Sequence, residues 1–130
     1  MSKTNLEAAQ ALLSKAESDW RTATIGLEHD GPLDAVCFHL QQTAEKLLKA
    51  LMTCRGVEYP LTHDLRDLLV LAVGHFPQLE SFRESLPQYS VYAVAMRYDT
   101  TMWPSVEETR EVYATIRQLR QMAAGLLPRE

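Results

Sequence analysis

Apolar residues recur at helical spacing along most of this chain. From about Asn5 to Glu28 the positions Leu6, Ala9, Leu13, Ala16, Trp20, Ala23 and Leu27 step by 3, 4, 3, 4, 3 and 4, the narrow seam of a long amphipathic helix. Alanines along that seam let a neighbouring backbone come close, while Leu13 and Trp20 supply buried area, so the helix needs an antiparallel partner. His29-Asp30-Gly31-Pro32 breaks the pattern. Gly31 ends one helix or caps the next, Pro32 fits a first helical position, and Asp34 favours the positive end of the dipole. The second helix then runs to about Arg55, with Leu33, Val36, Cys37, Leu40, Ala44, Leu47, Leu48 and Leu51 on one core face and Gly56 as a left-handed cap.

The later elements are shorter until the last. Gly56 to Leu61 reads as a loop, with Tyr59 pushed toward extended by Pro60. Thr62 or Asp64 caps a third helix, about Asp64 to Val73, that buries Leu65, Leu68, Leu69 and Ala72 and ends at Gly74. Pro77 opens a fourth helix, about Gln78 to Leu86, closed by Pro87. The apolar, tyrosine-bearing segment from Gln88 to Asp99 fits a strand as well as an irregular segment. No second segment offers a strand to pair with it, so it reads as a loop or short helix packed on the rest. Ser105-Val106-Glu107-Glu108 is a capping box for a final helix to about Leu127, with Thr109, Val112, Tyr113, Ile116, Leu119, Met122, Ala123 and Leu126 on its buried stripe. Three long helices and about two short ones, joined by short connections, predict an all-α, up-and-down helical bundle in a single domain over residues 1–130 with its core at about 6–127.

The second helix carries more polar chemistry than packing requires. Phe38, Gln42, Glu45 and Lys49, spaced 4, 3 and 4, form a stripe beside its aliphatic face. Glu45 and Lys49 make a favourable i,i+4 pair on a solvated surface, but an aromatic ring on the same stripe argues for partial burial. Buried cations there must be paired, because an uncompensated buried charge costs several kcal/mol. Asp19 lies beside the first seam and reads either as a solvated carboxylate or as the partner of such a cation. His63 precedes the third helix, where a histidine serves as a backbone-bonded structural group or as a ligand or phosphate contact. Arg97 carries a planar fork suited to carboxylate or phosphate, with a salt bridge to Asp19 or Glu45 as the simplest use. His39 and His75 show no ligand spacing with His63 or with each other, and no metal site is expected.

Composition narrows the function classes. With 13 basic and 17 acidic residues the net charge is -4, so the surface as a whole lacks the footprint of a strongly basic nucleic-acid binder, and only a local basic cleft remains open. Arg110, Arg117 and Arg120 give the last helix a basic side of the kind common on solvated faces. Cys37 and Cys54 are too far apart for a Cys-x-x-Cys pair and too few for a disulfide framework, so they are expected reduced and buried. The first residues lack a signal peptide's apolar core, and no window approaches the roughly 18 apolar residues of a membrane span. A cytoplasmic location is expected.

The run from Phe38 to Leu51, with Gln42, Glu45, Lys46 and Lys49, followed by Gly56, Thr62-His63-Asp64-Leu65 and Arg97-Tyr98, resembles a HEPN domain, the all-α family named for higher eukaryotes, prokaryotes and nucleotide binding. The resemblance extends over about Leu6 to Leu127. It implies a homodimer, and many such domains accompany a minimal nucleotidyltransferase in toxin–antitoxin pairs in which the HEPN member can be an RNase. The RNase members share an Arg-x4-6-His motif, whose histidine does acid–base work while its arginine holds the phosphate. This chain departs from it: no histidine follows Arg97, and Arg55 precedes His63 by eight positions. No catalytic residue is therefore assigned, and no cofactor. The resemblance implies instead a polar cleft lined or braced by Gln42, Glu45, Lys46, Lys49, His63, Arg97 and Tyr98, supported by Asp19 and Phe38. Within it Lys49 and Arg97 would meet phosphate, Tyr98 would stack on a base, and Glu45 would orient the cations. Two competing accounts stay open: an internal network that only fixes helix register, and a nuclease with a nonstandard site.

Overall fold

The computed structural model describes residues 2–128, the side chains of residues 95–97 excepted. Among the described residues there are five α-helices and no strand: α1 (Lys3–Glu28), α2 (Leu33–Cys54), α3 (Leu65–Val73), α4 (Val91–Tyr98) and α5 (Val106–Leu126). The helix ends follow local chemistry. Ser2 Oγ accepts from the Asn5 N–H at 3.0 Å to start α1, and Asp64 Oδ1 accepts from the Arg66 N–H at 2.9 Å to start α3. Ser105 and Glu108 make both halves of the expected capping box at α5, which meets donors that the first helical turn leaves orphaned.

At the α1–α2 turn the left-handed residue is Asp30, with φ 54, and Gly31 serves another need. A Cβ on Gly31 would lie 2.9 Å from the Gly26 Cα, so its hydrogen is what lets the chain fold back so tightly. Pro32 is the N-cap rather than the first helical residue, with an extended ψ of 123. At the other end of α2, Gly56 takes the left-handed conformation expected of it, φ 69.

The helix expected over Gln78 to Leu86 is instead a 3-10 helix at Pro77–Phe82, followed by turns and a second 3-10 helix at Pro87–Ser90. Buried Leu79 and Phe82, then Leu86 and Tyr89, each lie three apart, the spacing that eclipses side chains in the tighter helix. The two prolines remove the donors that would extend either piece. The tyrosine-rich segment resolves into that second 3-10 helix and α4.

α2 is the centre of the bundle, packing against α1, α3, α4 and α5. Leu40, Ala44, Leu48 and Leu51 are fully buried, as are Ala23 of α1, Leu68 and Leu69 of α3, and Ile116 and Leu119 of α5. The α1 seam buries its alanines and Trp20, and Leu13 and Leu27 pack at its edge. Cys37 and Cys54 are buried free thiols. Thr109 hydrogen-bonds Cys37 Sγ at 3.5 Å, which ties the first turn of α5 to α2. α1 and α5 meet above α2 through side chains: the Trp20 and Tyr113 rings stack at 4.4 Å, and Arg120 forms a two-pronged pair with Glu17 at 2.7 and 3.0 Å.

Candidate functional site

The polar face of α2 holds two carboxylate clusters. In the first, Asp19 reaches across from α1. Its Oδ1 accepts from His39 Nδ1 at 2.8 Å, and its Oδ2 accepts from Lys46 Nζ. His39 and Lys46 are seven residues apart, two turns of the same helix, so both project onto the side of α2 that α1 covers. The Asp19 side chain is 12% exposed, which makes it a paired, partly buried carboxylate rather than a solvated one.

The second cluster centres on Glu45, which is 4% exposed. Its Oε2 accepts from Lys49 Nζ at 2.9 Å, one turn along α2. Its Oε1 accepts from His63 Nδ1 at 2.8 Å, at the approach to α3. Gln41 Nε2 lies 3.3 Å from that same oxygen and 3.1 Å from the His63 carbonyl, donating to both, and Gln42 Nε2 donates to Gln41 Oε1 at 2.7 Å. Burial pushes the Glu45 carboxyl up, but hydrogen bonds from Lys49 and His63, the Lys49 charge and the Gln41 amide outweigh it. The carboxyl is held below its ordinary value, so it is the ionised form that is built in.

Of the nine residues singled out in the sequence, these clusters bring together Asp19 with Lys46, and Gln42, Glu45, Lys49 and His63 through Gln41. Phe38, half-buried, sets its ring edge-on to His39 at 5.3 Å between centroids. Lys49 Nζ lies 5.5 Å from the centre of the Tyr59 ring, within cation–π range. Tyr98 ends α4 with 77% of its surface exposed, making a ring available for stacking. Arg97 belongs to α4 by its backbone, and its side chain lies outside the described residues.

Two members of the site escaped the sequence pattern. His39 shows no ligand spacing because its partner comes from α1, 20 residues earlier. Its position seven residues before Lys46 was the available signal. Gln41, fully buried, sits where an aliphatic residue would ordinarily close the core, and a buried amide at such a position marks a network that must be satisfied. Among the described residues no buried side-chain nitrogen or oxygen lacks a partner.

Of the ion-paired side chains in the two clusters, His39 and His63 are the most exposed, at 31% and 64%. A half-open groove of about 520 Å3 lies on the other flank of α1, lined by Leu13, Ala16, Leu47 and Leu127, and takes none of the cluster residues except through their helices. No group of three or more histidine, cysteine or acidic side chains with metal-binding geometry occurs among the described residues. No described helix is long and apolar enough to cross a membrane.

Compared with known protein families, the chain matches the HEPN domain over residues 9–126. The chain belongs to the HEPN domain family. It matches no curated protein and no solved structure at a significant level. The match takes in every residue of the two carboxylate clusters, which are therefore part of the HEPN domain itself. It also includes α1 from Ala9 onward and the whole of α2 to α5, so all five helices contribute to it.

Proposed function

We propose that this HEPN domain is a nucleotide- or RNA-related binding module whose ligand surface is the polar face of α2, extended by His63 from the approach to α3 and by Tyr98 and Arg97 at the end of α4. The observation that carries the reading is the pairing of two histidines and two lysines with two carboxylates along α2 of a HEPN domain, with Asp19 supplied by α1 and His63 by the approach to α3. It sets hydrogen-bonding groups in fixed positions on α2, and α4, which packs on α2, ends in an exposed tyrosine ring, the kinds of group that meet phosphate and base. On this reading the domain works as a homodimer, paired with a minimal nucleotidyltransferase in a toxin–antitoxin arrangement, and it does not cut RNA by the family's arginine–histidine mechanism. The single-domain organisation belongs to the same proposal.

A second reading has its own support. Lys46 and Lys49 each already sit on a carboxylate, and the amides of Gln41 and Gln42 are satisfied within the cluster. A network so complete serves equally to fix the register of α1, α2 and α3, with function on an outer surface. Thermal shift against a panel of nucleotides and short RNAs separates the two. The binding reading expects at least one ligand to stabilise the wild type by about 1 kcal/mol or more and that gain to fall in Lys49→Ala and Arg97→Ala. If nothing in the panel stabilises the wild type and Lys49→Ala unfolds readily, the network reading stands. Cleavage of labelled RNA that survives repurification and disappears in His63→Ala would favour a nuclease with a nonstandard site. Co-expression with a minimal nucleotidyltransferase encoded next to the chain, read by co-purification, tests the partner.

A further inference from the structure

Among the described side chains of the two clusters, Lys46 is paired with Asp19 and Lys49 with Glu45, so these two cations and two anions balance. What remains is the second ring nitrogen of two histidines. In both, Nδ1 is committed to a carboxylate oxygen at 2.8 Å, which fixes the ring and leaves Nε2 as the nitrogen that gains or gives up a proton. His39 is 31% exposed and His63 64% exposed, so solvent and ligand reach both.

We propose that this face binds phosphate groups by taking up protons, with His39 and His63 becoming imidazolium as the anion arrives. This rests on the binding reading above and deepens it, adding His39 as a ligand-contacting residue and pH as the control on affinity. Each imidazolium keeps its Nδ1–H on the carboxylate already in place and donates Nε2–H to a phosphate oxygen. Proton uptake takes the cluster from no net charge to two positive charges, matched by the anion.

His39 meets Asp19 from α1 and Lys46 from its own helix, with the edge of Phe38 beside it. His63 meets Glu45, and through it Lys49 and Gln41, from α2. Its neighbour Asp64 is engaged with the Arg66 N–H and the Ser90 hydroxyl. Each ring thus has a carboxylate in direct contact, and each lysine lies on the far oxygen of that carboxylate. His39 and Glu45 lie six residues apart on α2, about 9 Å along its axis, so the two protonation sites suit separate phosphates of one strand better than a single phosphate.

The test is titration of the intact chain with a short single-stranded RNA of uridines lacking terminal phosphates, whose diesters and bases hold a constant charge between about pH 5.5 and about pH 7.5. Histidine titrates across that window, so the expected Kd is about 10- to 100-fold tighter at the lower pH, the range for one to two linked protons. Calorimetry in two buffers of different ionisation enthalpy should show the same uptake of one to two protons. His39→Gln and His63→Gln should each remove about one proton from the linkage, whereas His75→Gln, on the exposed residue after α3, should leave it intact. Asp19→Asn, by releasing Lys46, should bind more tightly than wild type at the higher pH. Should a histidine variant fail to fold, the ring proton resonances of the wild type report directly, and they should move to the imidazolium position on ligand addition. Equal affinity at both pH values with no proton uptake overturns the coupling and leaves the binding reading standing. A pH dependence that persists undiminished in the double histidine variant overturns the assignment to these rings. Absence of binding at either pH overturns both proposals.

Discussion

Glu45 accepts hydrogen bonds from Lys49, His63 and Gln41 while only 4% exposed, so its ionised form is part of the fold. The sign of its pH effect follows. With the folded carboxyl held below the ordinary glutamate value of 4.5, its contribution is complete above that value and is lost as pH falls through the lower, folded one. Urea unfolding at a series of acidic pH values should therefore show wild-type stability falling more steeply below about pH 4.5 than that of Glu45→Gln. At neutral pH the same substitution should cost about 3 kcal/mol, because it removes the countercharge of the partly buried Lys49 while leaving the ammonium in place. Parallel acid profiles for the two proteins would show that the carboxylate is not what the cluster is built on. Asp19 repeats the arrangement across the α1–α2 boundary, where its carboxylate holds a histidine and a lysine together.

At the scale of the elements, the α1–α2 hairpin determines whether Asp19 reaches His39 at all. Its turn is closed by Gly31, whose N–H donates to the Gly26 carbonyl at 2.6 Å and whose missing Cβ would meet Gly26 backbone atoms at 2.9 and 3.0 Å. Backbone cannot swing aside as a side-chain tip can. Gly31→Ala should thus cost about 1–3 kcal/mol, and a denaturant midpoint within error of wild type would refute the close packing. Because the hairpin carries the Asp19 cluster, the same variant should loosen His39 as well, seen as a shift in its ring resonances. The sequence made much of this level legible. The 3-and-4 steps of α1, the aliphatic face of α2 and the box at Ser105 and Glu108 are local signals, and each produced its element. What it hid was produced by neighbours: the two 3-10 helices between Pro77 and Ser90 depend on Leu79 with Phe82, and Leu86 with Tyr89, finding the core as pairs three residues apart. Likewise Glu45 and Lys49 formed the i,i+4 pair that their spacing allowed, but the partners of Asp19 and His63 depend on how α1 and the α3 approach lie on α2. No periodicity within one segment encodes that.

For the molecule as a whole, the arrangement around α2 predicts how it opens. α1, α3, α4 and α5 all pack on this one helix, and from Leu40 to Met52 it contributes Leu40, Ala44, Leu48, Leu51 and Met52 to the core at essentially zero exposure. Exposing any α2 amide requires lifting at least one of those four neighbours and stripping apolar area from several others, so no small local opening is available to it. By contrast, the connection from Asp99 to Trp103 is held mainly by its own short bonds, Asp99 to Thr101 and the Trp103 ring to the Thr100 carbonyl, and leaves Trp103 69% exposed. Native-state hydrogen exchange should therefore find the amides of residues 40–52 exchanging only through global unfolding, with free energies equal to that from denaturant melts, and the amides of 99–103 exchanging fastest. Leu48→Ala, which empties a fully buried site, should lower global stability by about 2–5 kcal/mol and drop the α2 protection by the same amount while leaving the 99–103 amides unchanged. If the α2 amides instead kept their protection in Leu48→Ala, or exchanged in wild type by a cheaper route than global unfolding, α2 would not be the element on which the other helices depend. The polar face would then lose the rigid support that holds His39, Glu45 and Lys49 in place for a ligand.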